Sequence, residues 1–157
     1  MNRALLTALV FLAQGTLCAQ TPTATGPKPD TYAQKLVDQT LAKHPDIVIL
    51  VFHVISKDGS DYPIIASNIG RYGKKADEDD LRAIKTGKAN LEVNATGKHF
   101  EVEMQLRDAS RNVLGAIAVV YNYKAGDDKD ALRQKAESVR GEIEKQIPSL
   151  AKLIGPA

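Results

Sequence analysis

The sequence predicts an α+β domain built on one five-stranded antiparallel sheet. Segments 47–55 and 113–123 are apolar at nearly every position, as in central strands that are covered on both faces. Segments 91–96 and 99–107 alternate between apolar and polar residues, as in strands nearer an edge. Segments 31–43 and 127–146 repeat apolar residues every three or four positions, as in amphipathic helices that cover a sheet.

The first 19 residues have the pattern of a secretory signal peptide. A positive start containing Arg3 precedes an apolar run of about ten residues, and Ala19 closes the segment. The run is shorter than the roughly 20 residues that a membrane-spanning helix needs. We therefore expect cleavage after Ala19 and a periplasmic or secreted protein. Residues 20–30 hold three prolines and are expected to form a flexible leader, and residues 31–157 a single domain.

Cys18 is the only cysteine in the chain. Lipid anchoring at Cys18 is not expected, because lipoprotein processing requires a small residue before the cysteine and Leu17 stands there. Cleavage after Ala19 leaves no cysteine, which excludes disulfides, thiolate metal sites and cysteine nucleophiles. Removal of Arg3 lowers the net charge from +2 to +1. That charge gives no reason to expect a nucleic-acid partner.

The first half of the domain is predicted as helix, strand, strand and short helix. Helix one begins after a cap at Asp30 or Thr31 and ends before Pro45. Strand one covers 46–56 and strand two 62–68, where Pro63 suits an edge strand. The short helix at 77–85 opens with four acidic residues, which its N-terminal dipole favours, and ends at Gly87.

The second half is predicted as a strand hairpin, a fifth strand and a long helix. The hairpin joins strands three and four around Gly97, and strand five follows a turn at 108–112. The long helix covers 127–146 and stops near Pro148. Strands one and five must be central, so the sheet order 2-1-5-4-3 satisfies the burial pattern. The long helix is expected to cover the sheet, the alternative being that part of it pairs with a second copy in a homodimer.

Two segments resemble the PAS-like Cache family of extracytoplasmic sensor domains. Residues 65–77, IASNIGRYGKKAD, are similar to the exit of strand two in small exported members. Residues 101–116, EVEMQLRDASRNVLGA, are similar to the hairpin between strands four and five. The resemblance covers about residues 31–124. It implies a PAS-like fold and a ligand cavity between the sheet and the crossover that contains the short helix.

The crossover loop offers the main candidate ligand-binding residues. Arg71 could hold a carboxylate through two parallel hydrogen bonds. Asn68, Tyr72 and Lys74 could orient the same ligand, which we expect to be a small polar or anionic organic molecule. The alternative is a solvated loop whose lysines contact the acidic start of the short helix.

A second candidate group combines one histidine with two tyrosines. Tyr121 and Tyr123 share a face of strand five because residues two apart lie on the same side. Together with His53 on strand one they could line an apolar pocket with a few polar groups. The expected alternative is that both tyrosines belong to the core and that His53 is hydrogen-bonded.

No pattern predicts catalysis, a metal or a cofactor. The three histidines include no pair at metal-ligand spacing, and no serine has the glycine-flanked context of a nucleophile. His99, Glu101 and Glu103 share one face of strand four and could hold a metal loosely, but a solvated outer face is the expected reading. The acidic run at 77–80 is interpreted as helix capping.

These observations favour a non-catalytic periplasmic sensor that binds a small molecule and acts with a membrane-bound signalling partner. The alternative is an exported protein-interaction or structural module without a small-molecule ligand. Stabilisation by a ligand would distinguish the two hypotheses.

Overall fold

A computed structural model describes residues 26–157. The predicted signal peptide and the first part of the leader lie outside the described residues. The described chain forms α1 Tyr32–Lys43, β1 Ile47–Val54, β2 Ile64–Ser67, α2 Glu78–Thr86, β3 Asn90–Val93, β4 His99–Arg107, β5 Val113–Asn122, α3 Lys129–Glu144 and α4 Leu150–Ile154. No helix in this part of the chain is long and apolar enough to cross a membrane.

The five strands form one antiparallel sheet in the order β2-β1-β5-β4-β3, which confirms the predicted order. At its centre, Ile117 of β5 lies opposite Phe52 of β1 on one side and Met104 of β4 on the other. Strand β2 is shorter than predicted and starts after Pro63, which has no amide hydrogen for the ladder.

The main hydrophobic core lies on one face of the sheet, beneath α1, α3 and α4. It contains the largest fully buried side chains, among them Phe52, Phe100 and Tyr121. The apolar stripe of α3 joins this core through Ala136, Val139 and Ile143. The long helix therefore covers the sheet, as the sequence predicts.

Within residues 26–157, the opposite face of the sheet is covered by α2 and the crossover loop before it. A small apolar cluster of Val51, Ile64 and Ala118 lies on this face. Because successive strand residues point to opposite faces, His53 of β1 and Glu103 of β4 also project here. This second face carries the candidate site.

Reciprocal hydrogen bonds fix the start of α2. The Asp77 side chain accepts from the amide of Asp80, and the Asp80 side chain accepts from the amide of Asp77. This capping box satisfies two amides that have no partner within the helix. At the other end, Gly87 adopts the left-handed conformation that ends many helices. The capping box holds the carboxylates of Asp77 and Asp80 at the helix start, where they line the cavity described below.

Gly115 allows β1 and β5 to approach closely beside His53. A Cβ atom added at Gly115 would overlap the carbonyl oxygen of His53. The pairing of Val54 with Gly115 continues the β1–β5 ladder at this point. The glycine therefore fixes the backbone position of His53.

The two ends of the described chain meet. Thr31 pairs with Pro156 in an isolated bridge, and the amide of Tyr32 donates to the carbonyl of Gly155. Lys28, near the end of the predicted leader, forms an ion pair with Asp38 of α1 at 2.7 Å. Both ends thus lie on the side of the sheet that carries α1 and α4.

Candidate functional site

A cavity of about 230 Å³ lies between the sheet and the crossover that contains α2. Its apolar floor comes from β1, β2, β5 and the start of the crossover loop. One wall comes from the polar face of β4 and the other from the loop and α2. The lining residues are Ile49, Val51, His53, Ile64, Ile69, Arg71, Lys74, Asp77, Asp79, Asp80, Glu92, Asn94, His99, Glu101, Glu103, Ala118 and Val120.

Three carboxylates from two elements converge in this cavity. Asp77 and Asp80 come from the start of α2, and Glu103 projects from β4. One oxygen from each lies within 4.8 Å of an oxygen of the other two. Asp80 and Glu103 are only 3% and 7% exposed. The sheet and the capping box of α2 thus hold three acidic groups together, of which Asp80 and Glu103 are buried and Asp77 is half-exposed.

Hydrogen bonds from the described residues satisfy one oxygen of each carboxylate. Oδ1 of Asp77 and Oδ2 of Asp80 accept the two amides of the capping box. Oε2 of Glu103 accepts from the side-chain amide of Asn90 at 2.9 Å. Oδ1 of Asp80 and Oε1 of Glu103 receive no hydrogen bond from a described residue, and Oδ2 of Asp77 has only an ion pair with Lys74 at 3.6 Å.

His53 lies beside this group and is 4% exposed. Its Nδ1 is 2.9 Å from the carbonyl oxygen of Tyr62. A carbonyl oxygen can only accept, so Nδ1 carries the hydrogen. Nε2 of the neutral ring is then an acceptor, and it lies 3.4 Å from Oδ2 of Asp80. Two acceptors therefore face each other unless a proton or a cation lies between them.

Burial and mutual repulsion change the acidity of the carboxyl groups. Desolvation, followed by the charge of Asp80, raises the pKa of Glu103 to about 8 despite the hydrogen bond from Asn90. Desolvation also raises the pKa of Asp80, with the charge of His53 acting in the opposite direction. The pKa of Glu101 is raised by desolvation and by the neighbouring Asp80. The cavity thus binds protons more tightly than an exposed acidic surface would.

Three of the predicted ligand-binding residues line this cavity. His53 forms part of the floor, and Arg71 and Lys74 come from the crossover loop. Arg71 adopts a left-handed backbone conformation with φ 62°, which is uncommon for a residue with a side chain. Arg71 is exposed and the Lys74 side chain is half-exposed, so both lie near the mouth.

Asn68 and Tyr72 make structural hydrogen bonds elsewhere. The Asn68 side chain accepts from the amide of Leu50 and donates to the carbonyl of Val48, so it extends the pairing of β2 with β1. The Tyr72 hydroxyl lies within hydrogen-bonding distance of Oε1 of Gln34 and the carbonyl of Ser67. Neither residue lines the cavity, in contrast to the prediction.

The sheet separates Tyr121 and Tyr123 from His53. Tyr121 belongs to the main core, and Tyr123 packs against Phe100 on the same face. His53 projects to the opposite face and lines the cavity. The prediction that these three residues line one pocket is therefore wrong, and the alternative of core tyrosines describes their positions.

The sequence predicts a solvated outer face for His99, Glu101 and Glu103 of β4. The structure corrects this for Glu103, which is buried, and places His99 and Glu101 in the cavity lining. One sequence signal could have found them. Strands one and five are apolar on both faces, so the sheet needs a cover on both sides, and that cover extends over the neighbouring strand β4.

The cavity lining is acidic overall. Six carboxyl residues line it, against one arginine and one lysine near the mouth. This balance favours a positively charged group inside and opposes the expectation of an anionic ligand held mainly by Arg71.

Comparison with known proteins shows a GAF/PAS-like fold. No protein-family model matches the sequence, and no curated protein matches it. The nlh2 GAF domain of A. aeolicus, solved in an inactive state, aligns with a TM-score of 0.53 and 14% identity over 72% of this chain and 83% of that one.

Two further solved structures are similar to the chain. The GAF domain of an Acinetobacter phosphoenolpyruvate-protein phosphotransferase aligns with a TM-score of 0.50 and 13% identity, over 71% of this chain and 77% of that one. The periplasmic domain of RsbU from Chlamydia trachomatis aligns with a TM-score of 0.44 and 18% identity, over 62% of this chain and 37% of that one. At these identities the likeness concerns the fold alone. The α+β architecture with sheet order β2-β1-β5-β4-β3 is a GAF/PAS-like fold.

Proposed function

We propose that this protein is a ligand-binding sensor module, with its ligand in the cavity between the sheet and α2. The observation that carries the proposal is the cavity itself. A concave apolar floor with a few converging polar groups is the usual form of a small-molecule site. The buried His53 and Glu103 supply such groups, and a GAF/PAS-like fold suits a sensing role.

We propose a binding role without catalysis. The ring nitrogens of the described histidines make hydrogen bonds only to a carboxylate, a backbone carbonyl and a side-chain amide. None of these bonds would activate a hydroxyl nucleophile.

We also propose that the chain belongs to the exported Cache-like sensors and acts in the periplasm with a membrane-bound signalling partner. Those three points depend on the sequence patterns described above.

Thermal unfolding of the purified protein tests the sensor role. The protein would be heated with small carboxylates, amino acids, amines and purines in turn. A ligand that binds only the folded state at 100 times its dissociation constant stabilises it by about 2.7 kcal/mol. For a domain of this size we expect a rise of several degrees in Tm.

Two leucine variants locate the binding site. Ala118→Leu fills the floor of the cavity, where Ala118 is 4% exposed, and should abolish the rise in Tm. Ala151→Leu adds the same side chain on the exposed face of α4 and should retain it. A rise in Tm that persists in Ala118→Leu would contradict the proposed site.

Arg71→Ala tests whether Arg71 anchors an anionic ligand, because such a ligand should then no longer raise the Tm.

A protein-interaction module is the second candidate. Leu81 on α2 and Leu91 on β3 are 44% and 43% exposed, and the two elements pack against each other. If a well-folded sample shows no stabilisation by any compound or ion, we would favour this role.

A further inference from the structure

His53 uses Nδ1 for a hydrogen bond and leaves Nε2 directed toward the carboxylates, as many metal-binding histidines do. In metal sites the imidazole usually donates one N–H to a carbonyl or carboxylate, which fixes the tautomer and directs the other nitrogen at the ion. Nδ1 of His53 makes such a bond to the carbonyl of Tyr62. Nε2 makes no hydrogen bond to any described residue, although the side chain is 95% buried and lines the cavity.

The distances suit a small ion. Ligand atoms at right angles around a metal with bonds of about 2.1 Å are about 3 Å apart, and opposite ones about 4.2 Å. Nε2 of His53 and Oδ2 of Asp80 are 3.4 Å apart. The oxygens of Asp77, Asp80 and Glu103 lie within 4.8 Å of one another. Asp77, Asp80 and Glu103 are therefore close enough to share one ion after small side-chain shifts, and Nε2 of His53 lies beside Asp80 as a fourth donor.

The charge of this cluster favours a cation. When ionised, the buried carboxylates of Asp80 and Glu103 repel each other, and the half-exposed Asp77 adds to that repulsion. Among the described residues, the Lys74 side chain is 50% exposed and lies 3.6 Å from Asp77, and His53, when protonated, pairs with Asp80 at 3.4 Å. Lys74 cannot neutralise Glu103 or Asp80 from that position. Each carboxylate also keeps one oxygen that no described residue satisfies by a hydrogen bond.

Building on the proposed sensor function, we propose that the ligand is a first-row divalent metal ion bound by Asp77, Asp80, Glu103 and Nε2 of His53. Three carboxylate oxygens with one imidazole suit manganese, iron, cobalt, nickel or zinc. Magnesium and calcium prefer oxygen ligands throughout, so the imidazole selects against them. Water molecules in the cavity would supply the remaining ligands.

Calorimetric titration of the full, EDTA-treated and dialysed protein tests this site. Zinc, cobalt and manganese chlorides would be titrated separately, with magnesium and calcium chlorides as comparators. We expect one equivalent of zinc or cobalt to bind, about 100-fold more tightly than magnesium. Failure of zinc, cobalt and manganese to bind, or equal binding of zinc and calcium, would overturn the proposal.

Variants assign the binding to these residues. Glu103→Gln and His53→Gln should each weaken zinc binding by at least about 100-fold, since loss of even an outer partner costs 10- to 100-fold. Glu78→Gln removes an exposed carboxylate from the same turn of α2, outside the cavity, and should bind zinc normally. Undiminished zinc binding by a folded Glu103→Gln protein would overturn the proposal.

A spectroscopic signature covers the case in which a variant fails to fold. Cobalt bound in the wild-type protein should give visible absorption bands that EDTA abolishes. Because metal ligands must be deprotonated, zinc binding should also release protons. Calorimetry in two buffers with different ionisation enthalpies measures that release. Absence of both signals would count against the site.

The outcomes separate this inference from the sensor role. An organic compound that stabilises the wild type but not Ala118→Leu, with no binding of the transition metals, would retain the sensor and reject the metal. If neither the organic compounds nor the metals bind, both the sensor function and the metal site would be rejected.

Discussion

At the scale of single residues, two tyrosine hydroxyls are in opposite situations. The Tyr121 hydroxyl is buried in the main core without a hydrogen-bond partner among the described residues. Desolvation, with the charge of Asp46, raises the pKa of Tyr121. The Tyr72 hydroxyl lies at hydrogen-bonding distance from Gln34 and from the carbonyl of Ser67. Burial of the Tyr121 hydroxyl therefore costs desolvation free energy that no hydrogen bond offsets, whereas the Tyr72 hydroxyl makes a hydrogen bond.

We therefore predict that Tyr121→Phe leaves stability unchanged or raises it by up to about 1 kcal/mol. Tyr72→Phe, its matched control, should lower stability by about 1 kcal/mol because the acceptor on Gln34 loses a donor. Urea unfolding of both variants measures the difference. A clear loss of stability in Tyr121→Phe would mean that its hydroxyl has a partner, such as an ordered water.

The same residues show where sequence reasoning stops. The spacing of Tyr121 and Tyr123 correctly placed both on one face of strand five. It could not place His53 relative to them, because the face to which a strand residue projects depends on how neighbouring strands align. In the pairing of β1 with β5, His53 lies opposite Ala116. Ala116 precedes Ile117 in β5, so His53 projects to the face opposite that of Ile117 and Tyr121. The prediction of a pocket shared by His53 and the two tyrosines was wrong because it placed His53 on the wrong face of the sheet.

At the scale of elements, Gly115 determines how closely β1 and β5 pair. We predict that Gly115→Ala destabilises the protein by more than about 2 kcal/mol, because the added methyl group would overlap the backbone of His53. Gly97→Ala is the control, since a Cβ there meets nothing within 4 Å and only the positive φ is strained. Chemical denaturation compares the two. Equal losses of stability would show that the β1–β5 approach is not the determining contact.

The elements themselves were largely predictable. Thr31 and Gly87 act locally, so their positions in the sequence correctly indicated where α1 begins and where α2 ends, whereas β2 begins two residues later than predicted. The acidic start of α2 was harder to interpret. Asp77 and Asp80 do cap the helix, as predicted, and their remaining oxygens also enter the cavity. A local rule explains the first role completely and therefore hides the second, which depends on the position of α2 over β4.

At the scale of the whole molecule, the acidic cavity should control how stability depends on pH. Glu103 has a pKa of about 8 in the folded protein, against an ordinary value of 4.5. The folded state thus binds this proton more tightly than the unfolded state does. Its stabilising effect is complete below pH 4.5 and is lost as the pH rises through 8. Asp80 and Glu101 shift in the same direction.

We predict that the metal-free protein loses stability between about pH 5 and about pH 8, by at most about 1.4 kcal/mol per pH unit for each such group. Glu103→Gln should flatten the profile and be more stable than the wild type at the upper end. Urea unfolding in the presence of EDTA measures both profiles. Superimposable profiles would contradict the burial of a protonated Glu103.

The overall sheet order was predictable because few arrangements bury two strands on both faces. The chemistry of the cavity was not, because it combines residues from β1, α2 and β4 that are far apart in the sequence. His53, Asp80 and Glu103 each have an ordinary local explanation. Their meeting depends on the crossover that carries the chain from β2 to the far edge of the sheet.

The bridge between Thr31 and Pro156 has a practical consequence for handling the protein. Both ends of the domain emerge together beside α1 and α4, while the cavity opens on the other face of the sheet. A dye, an affinity tag or an immobilising surface attached at either end would leave the cavity mouth accessible. A short peptide joining the ends would permit circular permutation, with new termini opened at the exposed hairpin around Gly97.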